Sequence, residues 1–354
     1  MAITLRKDSP RLAFIATVVG GIACVFLYCG GWLTPDELTP ARIADGFEQV
    51  SGVHPGFRRN HAKGVDVYGF FESNGNGASL SSAVVFRPGR VPVIGRFSLG
   101  SPAPYVADGP DMARGLGLQF ALPDGEYWRT GMVNLPVFPV STPEAFYGLL
   151  LASKPDSTTG KPDPAKMGAF LASYPESGAA LKLIKSQPPS SGFDNSTFHS
   201  LNAFWFVSAA GNSVPVRWIL TPMQPFEAAK MDSTSPDKNY LFDGLIARIH
   251  DQPLQWRLII IVGQAGDPTD DATIPWPPER QQVDVGTVTL DRVESDDTGA
   301  ARDINFDPLM LPAGIEPSDD PLLSARSAVY SQSFTRREGE AKEPSAVSSA
   351  EVGK

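Results

Sequence analysis

The sequence predicts an α+β fold, built on an antiparallel β-barrel or sandwich with helices set between groups of strands. Three observations predict it. Short apolar runs, alternating or continuous, recur along the chain between turn-forming clusters. Thr142-Pro143-Glu144 and Asp163-Pro164 are helix starts lying between those groups. Finally, 33 glycines and 33 prolines in 354 residues are too many turn formers for a helical bundle. With 42% hydrophobic and 10% aromatic residues, the chain can bury a full core.

The first element is Leu12 to Leu33, apolar and without charge, behind Arg6, Lys7 and Arg11 and closed by Thr34-Pro35-Asp36. That pattern is a membrane span or an export signal. The run exceeds a typical signal core and no small-x-small cleavage site follows, which favours an uncleaved anchor. Basic residues on its N-terminal flank place the following domain away from the cytoplasm, so residues 12–33 are expected to tether a periplasmic protein to the inner membrane. A cleaved signal is the alternative. Residues 34–48 are expected to form a linker, with a short amphipathic helix from Pro40 to Gln49 that puts Ala41, Ile43, Ala44 and Phe47 on one face.

One domain is expected over 49–337, since no internal repeat is visible. Strands are predicted at Val65–Phe71, Ser82–Phe86, Val91–Leu99, Gly115–Leu122 and Tyr127–Val133, with Asn74-Gly75-Asn76-Gly77 as a doubled hairpin-turn signal. Helices follow to Ala152 and Ser173. Further strands are predicted at Thr197–Ser208, Val214–Thr221, Leu254–Gly263 and Gly286–Arg292, with a helix at Phe242–His250. The tail, 338–354, is rich in Glu, Lys, Ser and Gly and is expected to be disordered.

Composition narrows function. The formal net charge of −9 comes with dispersed acids and no broad basic face, which argues against a nucleic-acid partner. The two cysteines, Cys24 and Cys29, both lie in the apolar run, so the remainder carries neither disulfide nor thiol nucleophile. His54, His199 and His250 lack zinc-ligand spacing, and Gly115-Leu116-Gly117 lacks the third glycine of a nucleotide fingerprint and reads as strand packing.

Two clusters remain. Arg58-Arg59-Asn60-His61-Ala62-Lys63-Gly64 sets a histidine among cations at the entrance of a strand, either as a proton shuttle beside an anion-binding arginine or as a hydrogen-bonded structural histidine. Near the other end, Arg326 and Tyr330 are i and i+4 neighbours if that segment is helical. Such a pair is either a surface cation over a half-buried ring or an arginine that keeps a phenolate ionised as the ligand of a ferric haem.

Taken together, Arg58 with His61-Ala62-Lys63-Gly64, Arg96-Phe97-Ser98, Asn134-x-Pro136, the run from Asp307-Pro308 through Pro312-x-Gly314-Ile315-Glu316-Pro317-Ser318, and Arg326-x-x-x-Tyr330 resemble the monofunctional haem catalases. The chain looks most like their short, exported, catalase-related peroxidases, over roughly Arg58 to Arg337. The resemblance implies a catalase-type barrel with flanking helices that holds haem b. It implies His61 as acid–base group, Asn134 polarising the peroxide and Ser98 setting the histidine tautomer. Tyr330 would be the iron ligand, with Arg326 beside it and Asp320 orienting that arginine. Arg58, Arg96 and Arg337 would bind propionates, and Phe146 would stack on the macrocycle unless it is plain core packing.

The implied activity is reduction of hydrogen peroxide or organic hydroperoxides through an oxoferryl intermediate, with an unidentified external electron donor. True catalase activity and non-catalytic haem binding are the alternatives. Two departures concern the haem surroundings: Phe334 and Asn202 stand where the larger catalases carry histidines. The chain also ends soon after Tyr330, so the C-terminal helical domain and most of any nicotinamide-nucleotide site are expected to be missing. The shorter wrapping implies a wider channel, suited to bulkier peroxides.

Overall fold

The computed structural model describes residues 5–29, 33, 37–231 and 237–353; the predicted stop at Thr34-Pro35-Asp36 lies outside them. In chain order the elements are α1 (Leu5–Cys29), α2 (Pro40–Ser51), β1 (Gly64–Ser73), β2 (Gly89–Leu99), β3 (Arg114–Ala121), β4 (Tyr127–Val133), α3 (Pro143–Ala152), α4 (Pro164–Ser173), α5 (Pro175–Lys185), β5 (Phe198–His199), β6 (Phe204–Val207), β7 (Ser213–Pro222), α6 (Tyr240–Asp251), β8 (Leu254–Val262), β9 (Gln282–Ser295), β10 (Ile315–Pro317), α7 (Pro321–Glu338) and α8 (Ser349–Val352).

Among the described residues, eight of the ten strands close on themselves in the order β7-β5-β4-β3-β2-β1-β9-β8, because β7 also pairs with β8; β6 and β10 extend the sheet beyond β7. All the pairings are antiparallel. Closure leaves the ring no open edge and turns alternate side chains inward. Those inward residues make an aromatic core: Trp128 stacks on Phe120 at 4.7 Å and meets Trp218 edge-on at 5.2 Å, and Trp218 stacks on Phe204 at 4.3 Å. Full burial of each such ring stabilises the fold by roughly 2–3 kcal/mol. Trp218 also donates its indole N–H to Thr130 at 3.0 Å, which spares that group the cost of an unmet donor.

Helix starts follow local chemistry. Thr142 and Asp163 cap α3 and α4 through their side-chain oxygens, each ahead of a proline at the first helical position. Asp320 does the same for α7.

Several expectations are corrected. Asn74-Gly75-Asn76-Gly77 does not close a tight hairpin; β1 and β2 are joined by a longer excursion containing 3₁₀ turns at Asn76–Ser79 and Val84–Phe86. The predicted strand Ser82–Phe86 falls on the second of them. Its apolar pattern arises because Phe86 plugs the barrel, packing on Phe206 at 5.1 Å and Trp128 at 5.9 Å. The stretch Thr197–Ser208 is two short strands, broken around Leu201, whose φ of 65° lies in the left-handed region that ends a strand. The helix α5 had no strong local signal beyond Pro175-Glu176.

Two boundaries also move. The helix expected as a linker, α2, buries Ile43, Ala44 and Phe47 and packs on α3 and α7, as part of the domain. The tail is ordered. Glu340 pairs with Arg59, Val347 is fully buried, and a reciprocal Ser348–Glu351 capping box starts α8. Its composition is polar on average, but two valines, Val347 and Val352, enter gaps beside β9 and α6. A mean over the segment hides that.

Candidate active site

A cavity of about 330 Å³ lies between the β2–β4 part of the barrel wall, with the loop that enters β1, and helices α2, α3 and α7. His61, Ser98, Arg58, Arg96, Arg326, Arg337, Tyr330 and Phe146 all line it. The two clusters singled out at opposite ends of the sequence thus meet in one place. Asn134 stands beside the cavity and does not line it. Its Oδ1 accepts from the Arg114 backbone N–H at 2.7 Å, and its backbone N–H donates to the Arg114 carbonyl at 3.0 Å, which pins the residue at the end of β4.

His61 is fixed from two directions. Its φ of 55° is uncommon for a residue with a Cβ. Arg96 holds that turn by donating from Nη1 to the His61 carbonyl at 2.8 Å and from Nη2 to the Ala62 carbonyl at 3.1 Å. The ring nitrogen Nδ1 lies 3.0 Å from Ser98 Oγ. Gly115 on β3 makes room for this contact, since a Cβ there would come within 2.8 Å of both the imidazole and Ser98 Oγ. Burial, and then the charges of Arg96, Arg326 and Arg58, push the imidazole down to about 3. The ring is therefore neutral at physiological pH and can accept a proton.

Behind His61 lies a group of buried cations. Arg96 pairs with Asp296 through two bonds, Nε to Oδ1 at 2.9 Å and Nη2 to Oδ2 at 2.6 Å. Arg58 donates to the carbonyls of Ala301 and Ile304, both at 2.8 Å. Arg337 donates to the Ile304 carbonyl at 3.4 Å. Burial, together with Arg337 and Arg96, holds Arg58 well below the usual guanidinium range, and burial with Arg96 brings Arg337 to about 10. Such crowding of like charges out of water is costly unless anions join it.

Tyr330 is presented by α7. The Arg326 guanidinium lies 5.7 Å from its ring centre, as the i, i+4 spacing predicts. Arg326 donates to the Gly131 carbonyl at 2.9 Å and to Asn202 Oδ1. Asn202 Nδ2 in turn donates to Asp320 Oδ2 at 2.7 Å. The expectation that Asp320 orients Arg326 is thereby modified, because the amide of Asn202 stands between them. A Cβ at Gly131 would come 3.1 Å from Arg326 Nη2 and 3.8 Å from Tyr330 Oη.

Gly131 pairs with Gly117, which shares a strand face with Gly115. His61 and Tyr330 therefore lie against neighbouring positions of one glycine-lined face, one two-residue step or roughly 7 Å apart along the strands. Much of the remaining wall is apolar. Phe146 stacks on Phe138 at 6.0 Å and 16°, and meets Phe47 of α2 at 5.8 Å.

The sequence reading missed Asp296, Asp66, Phe47 and Phe138 as neighbours of the site. Asp296 sits in an acidic run that looks like a solvated turn, and nothing local marks it. His199 lies in β5, where burial pushes it down to about 4. Among the described residues no His, Cys, Asp and Glu cluster has metal-binding geometry.

A closed antiparallel barrel with a neutral histidine, a tyrosine–arginine pair and buried cations around one cavity has the architecture of a haem-dependent oxidoreductase. The chain belongs to the catalase family, whose profile matches residues 55–348. It is similar to a catalase-related peroxidase of Synechococcus elongatus, with 40% identity over 85% of this chain and 89% of that one. A catalase-related peroxidase of Mycolicibacterium paratuberculosis is 34% identical over 85% of this chain and 96% of its own. Among solved structures, a bacterial catalase superposes with a TM-score of 0.71 at 20% identity, covering 81% of this chain and 58% of that chain. Catalase A from Saccharomyces cerevisiae also gives 0.71, at 18% identity and over 62% of its length. The chain thus spans about three fifths of the solved catalases it matches.

Proposed function

We propose that this chain is a haem b peroxidase that reduces hydrogen peroxide or organic hydroperoxides with two electrons from an external donor. The broader activity, a haem-dependent oxidoreductase acting on peroxide, follows from family membership and from the two peroxidases it matches along most of their length. One observation carries the finer reading: a neutral, hydrogen-bonded histidine and a tyrosine–arginine pair line one cavity against one glycine-lined strand face.

The residues fit haem. Arg58 and Arg337, with Arg96 behind them, are cations that would hold propionates. Tyr330 would be the iron ligand, with the Arg326 guanidinium 5.7 Å from its ring centre. Phe146 would lie against the macrocycle face or edge. Bound haem supplies the redox-active iron that receives the two oxidising equivalents of the peroxide. His61 takes the proton from the inner peroxide oxygen and returns it to the outer one, so that the O–O bond breaks to release water or an alcohol. Ser98, 3.0 Å from Nδ1, sets which ring nitrogen is free for this transfer. Asn134 stands beside the cavity with its Oδ1 held by the Arg114 backbone N–H, so it would polarise the peroxide only through its side-chain NH2. A neutral imidazole is the form required, and burial together with the arginines supplies it.

One N-terminal helix, with a window from Ser9 to Cys29, is long and apolar enough for a membrane span or a signal. We read it as an anchor that holds the domain in the periplasm. A reporter fused at the C-terminus should be active only outside the cytoplasm.

The function is tested on one preparation of full-length protein. The visible spectrum should show a high-spin ferric haem that changes on adding peroxide. Donor oxidation with an organic hydroperoxide should match or exceed oxygen release from hydrogen peroxide. Oxygen release far above donor oxidation would make the protein a true catalase, and absence of both would make it a haem-binding protein only.

A further inference from the structure

Behind Arg96 lies a carboxyl pair that the peroxide chemistry does not use. Asp66 on β1 is fully buried. Its Oδ2 accepts from the amides of Ala301 at 2.5 Å and Arg302 at 3.3 Å. Its Oδ1, also buried, accepts no hydrogen bond among the described residues. An acceptor left bare in this way keeps the full desolvation cost of its burial. The cost disappears if Oδ1 carries a proton, because it then becomes a donor to its neighbour Asp296.

We propose that Asp66 is a charge-balancing residue, held as the neutral acid and donating its proton to Asp296, so that the buried cationic cluster matches the two propionates of the haem. This deepens the haem reading given above and rests on it. Arg58, Arg96 and Arg337 bring three positive charges; Asp296, bound to Arg96 at 2.6 Å, removes one. With Asp66 neutral the cluster is left with two, equal and opposite to a pair of propionates. With Asp66 ionised only one would remain, and a buried propionate would go uncompensated.

The surroundings agree. Burial, then Asp296, pushes Asp66 up to about 8, against the opposing pull of Arg96 and the Ala301 amide. Burial alone would raise Asp296 as well, but Arg96 prevails and keeps it below the usual carboxylate range. The other groups facing the pair are Arg58, the Tyr68 hydroxyl and Glu294, which pairs with Asp66 across β1 and β9 and accepts from Tyr68 at 3.1 Å. Glu294 is thus already engaged, and Asp303, near Arg337, is exposed and paired with Lys342. Two propionates beside the arginines add negative charge and raise Asp66 further. By reciprocity haem binds the protonated form more tightly, about tenfold for each pH unit by which it raises that carboxyl.

The test is infrared spectroscopy of the full-length protein, with and without haem, across neutral and alkaline pH. Wild type should show the carbonyl stretch of a buried protonated carboxyl, absent from Asp66→Asn, and haem should move its loss to higher pH by at least about one unit. Haem transfer to a scavenging apoprotein should accelerate at alkaline pH in wild type and stay flat in Asp66→Asn, which is permanently neutral. No protonated-carboxyl band in wild type at neutral pH overturns the proposal, whatever the variant does. So does a folded Asp66→Asn that sheds haem at neutral pH. If Asp66→Asn does not fold, the wild-type titration decides alone: a band whose loss moves upward with haem upholds the proposal, and one indifferent to haem overturns it. Failure of the haem reading is separate, since it appears as a protein that takes up no haem at all.

Discussion

The His61 side and the Tyr330 side of the cavity are built on opposite plans. His61 belongs to a strand entrance and is gripped at both backbone and ring: Arg96 holds its carbonyl, Ser98 its Nδ1, and Gly115 clears the space between. Tyr330 stands on the single helix α7, and among the described residues its position comes from helix packing and the Arg326 neighbour; Arg326 is in turn held by the neutral amide of Asn202 and by a carbonyl. The difference follows from the two proposed tasks. A proton shuttle works only within hydrogen-bond reach of both oxygens, so it is clamped by short polar contacts. A metal ligand is held by the bond it forms and needs mainly to be aimed.

The largest break in this comparison is Tyr330→Phe. It keeps the helix and ring packing but removes the proposed ligand, so haem content per chain should fall to a small fraction of wild type. An unchanged visible spectrum would refute the ligand assignment. On the other side, His61→Ala should leave haem bound while slowing the first reaction with peroxide by about 10²–10⁴-fold, or ~3–5 kcal/mol of barrier. Stopped-flow absorbance measures the rate, and haem loss in this variant would make His61 structural.

Smaller changes probe the supports. Asn202→Ala leaves Asp320 and Arg326 without the amide that joins them, for an expected loss of about 1–3 kcal/mol in denaturant stability. If stability is unchanged, the Asp320–Asn202–Arg326 chain is not holding the Tyr330 side. Ser98→Ala should cut the rate with peroxide by about tenfold and leave haem affinity unchanged, as for other residues that orient a reacting histidine. A change in haem affinity without one in rate would contradict that role.

The pH dependence distinguishes the two sides further. His61 is brought down to about 3 in the fold, against ~6.5 in an unfolded chain. Between those values the unfolded state binds the extra proton, so His61's contribution to stability is fully present above about pH 6.5 and is lost as pH falls towards 3. His61→Gln should therefore flatten the acid limb of stability by ~1.4 kcal/mol per pH unit. Chemical denaturation at several pH values measures this, and parallel limbs would show that His61 is solvated and titrates normally.

Local chemistry made part of this legible. The strand Tyr127–Val133 and the helix starts at Pro143 and Pro164 lie where alternation, capping oxygens and proline put them. The Arg326–Tyr330 neighbourhood follows from helical spacing alone. Where the reading failed, a distant partner had overridden a local pattern. Ser82–Phe86 looks like a strand because a barrel plug is as apolar as one. The tail looks disordered because Val347 and Val352 are outnumbered by polar residues, although both are buried.

What the sequence by itself determined is most of the longer strands and the capped helix starts, the apolar N-terminal run, and the residue types of the two clusters, because capping, periodicity and i, i+4 spacing are properties of neighbours in the chain. Tertiary structure decided which of those residues meet. Arg96 and Asp296 are 200 positions apart and form one ion pair. Phe47 of α2 meets Phe146 of α3 on the cavity wall. Asp66 is made a candidate for holding its proton only by a bare buried oxygen and a second carboxyl brought beside it by barrel closure. Burial and charge proximity are sums over the whole fold, and no window of the chain contains them.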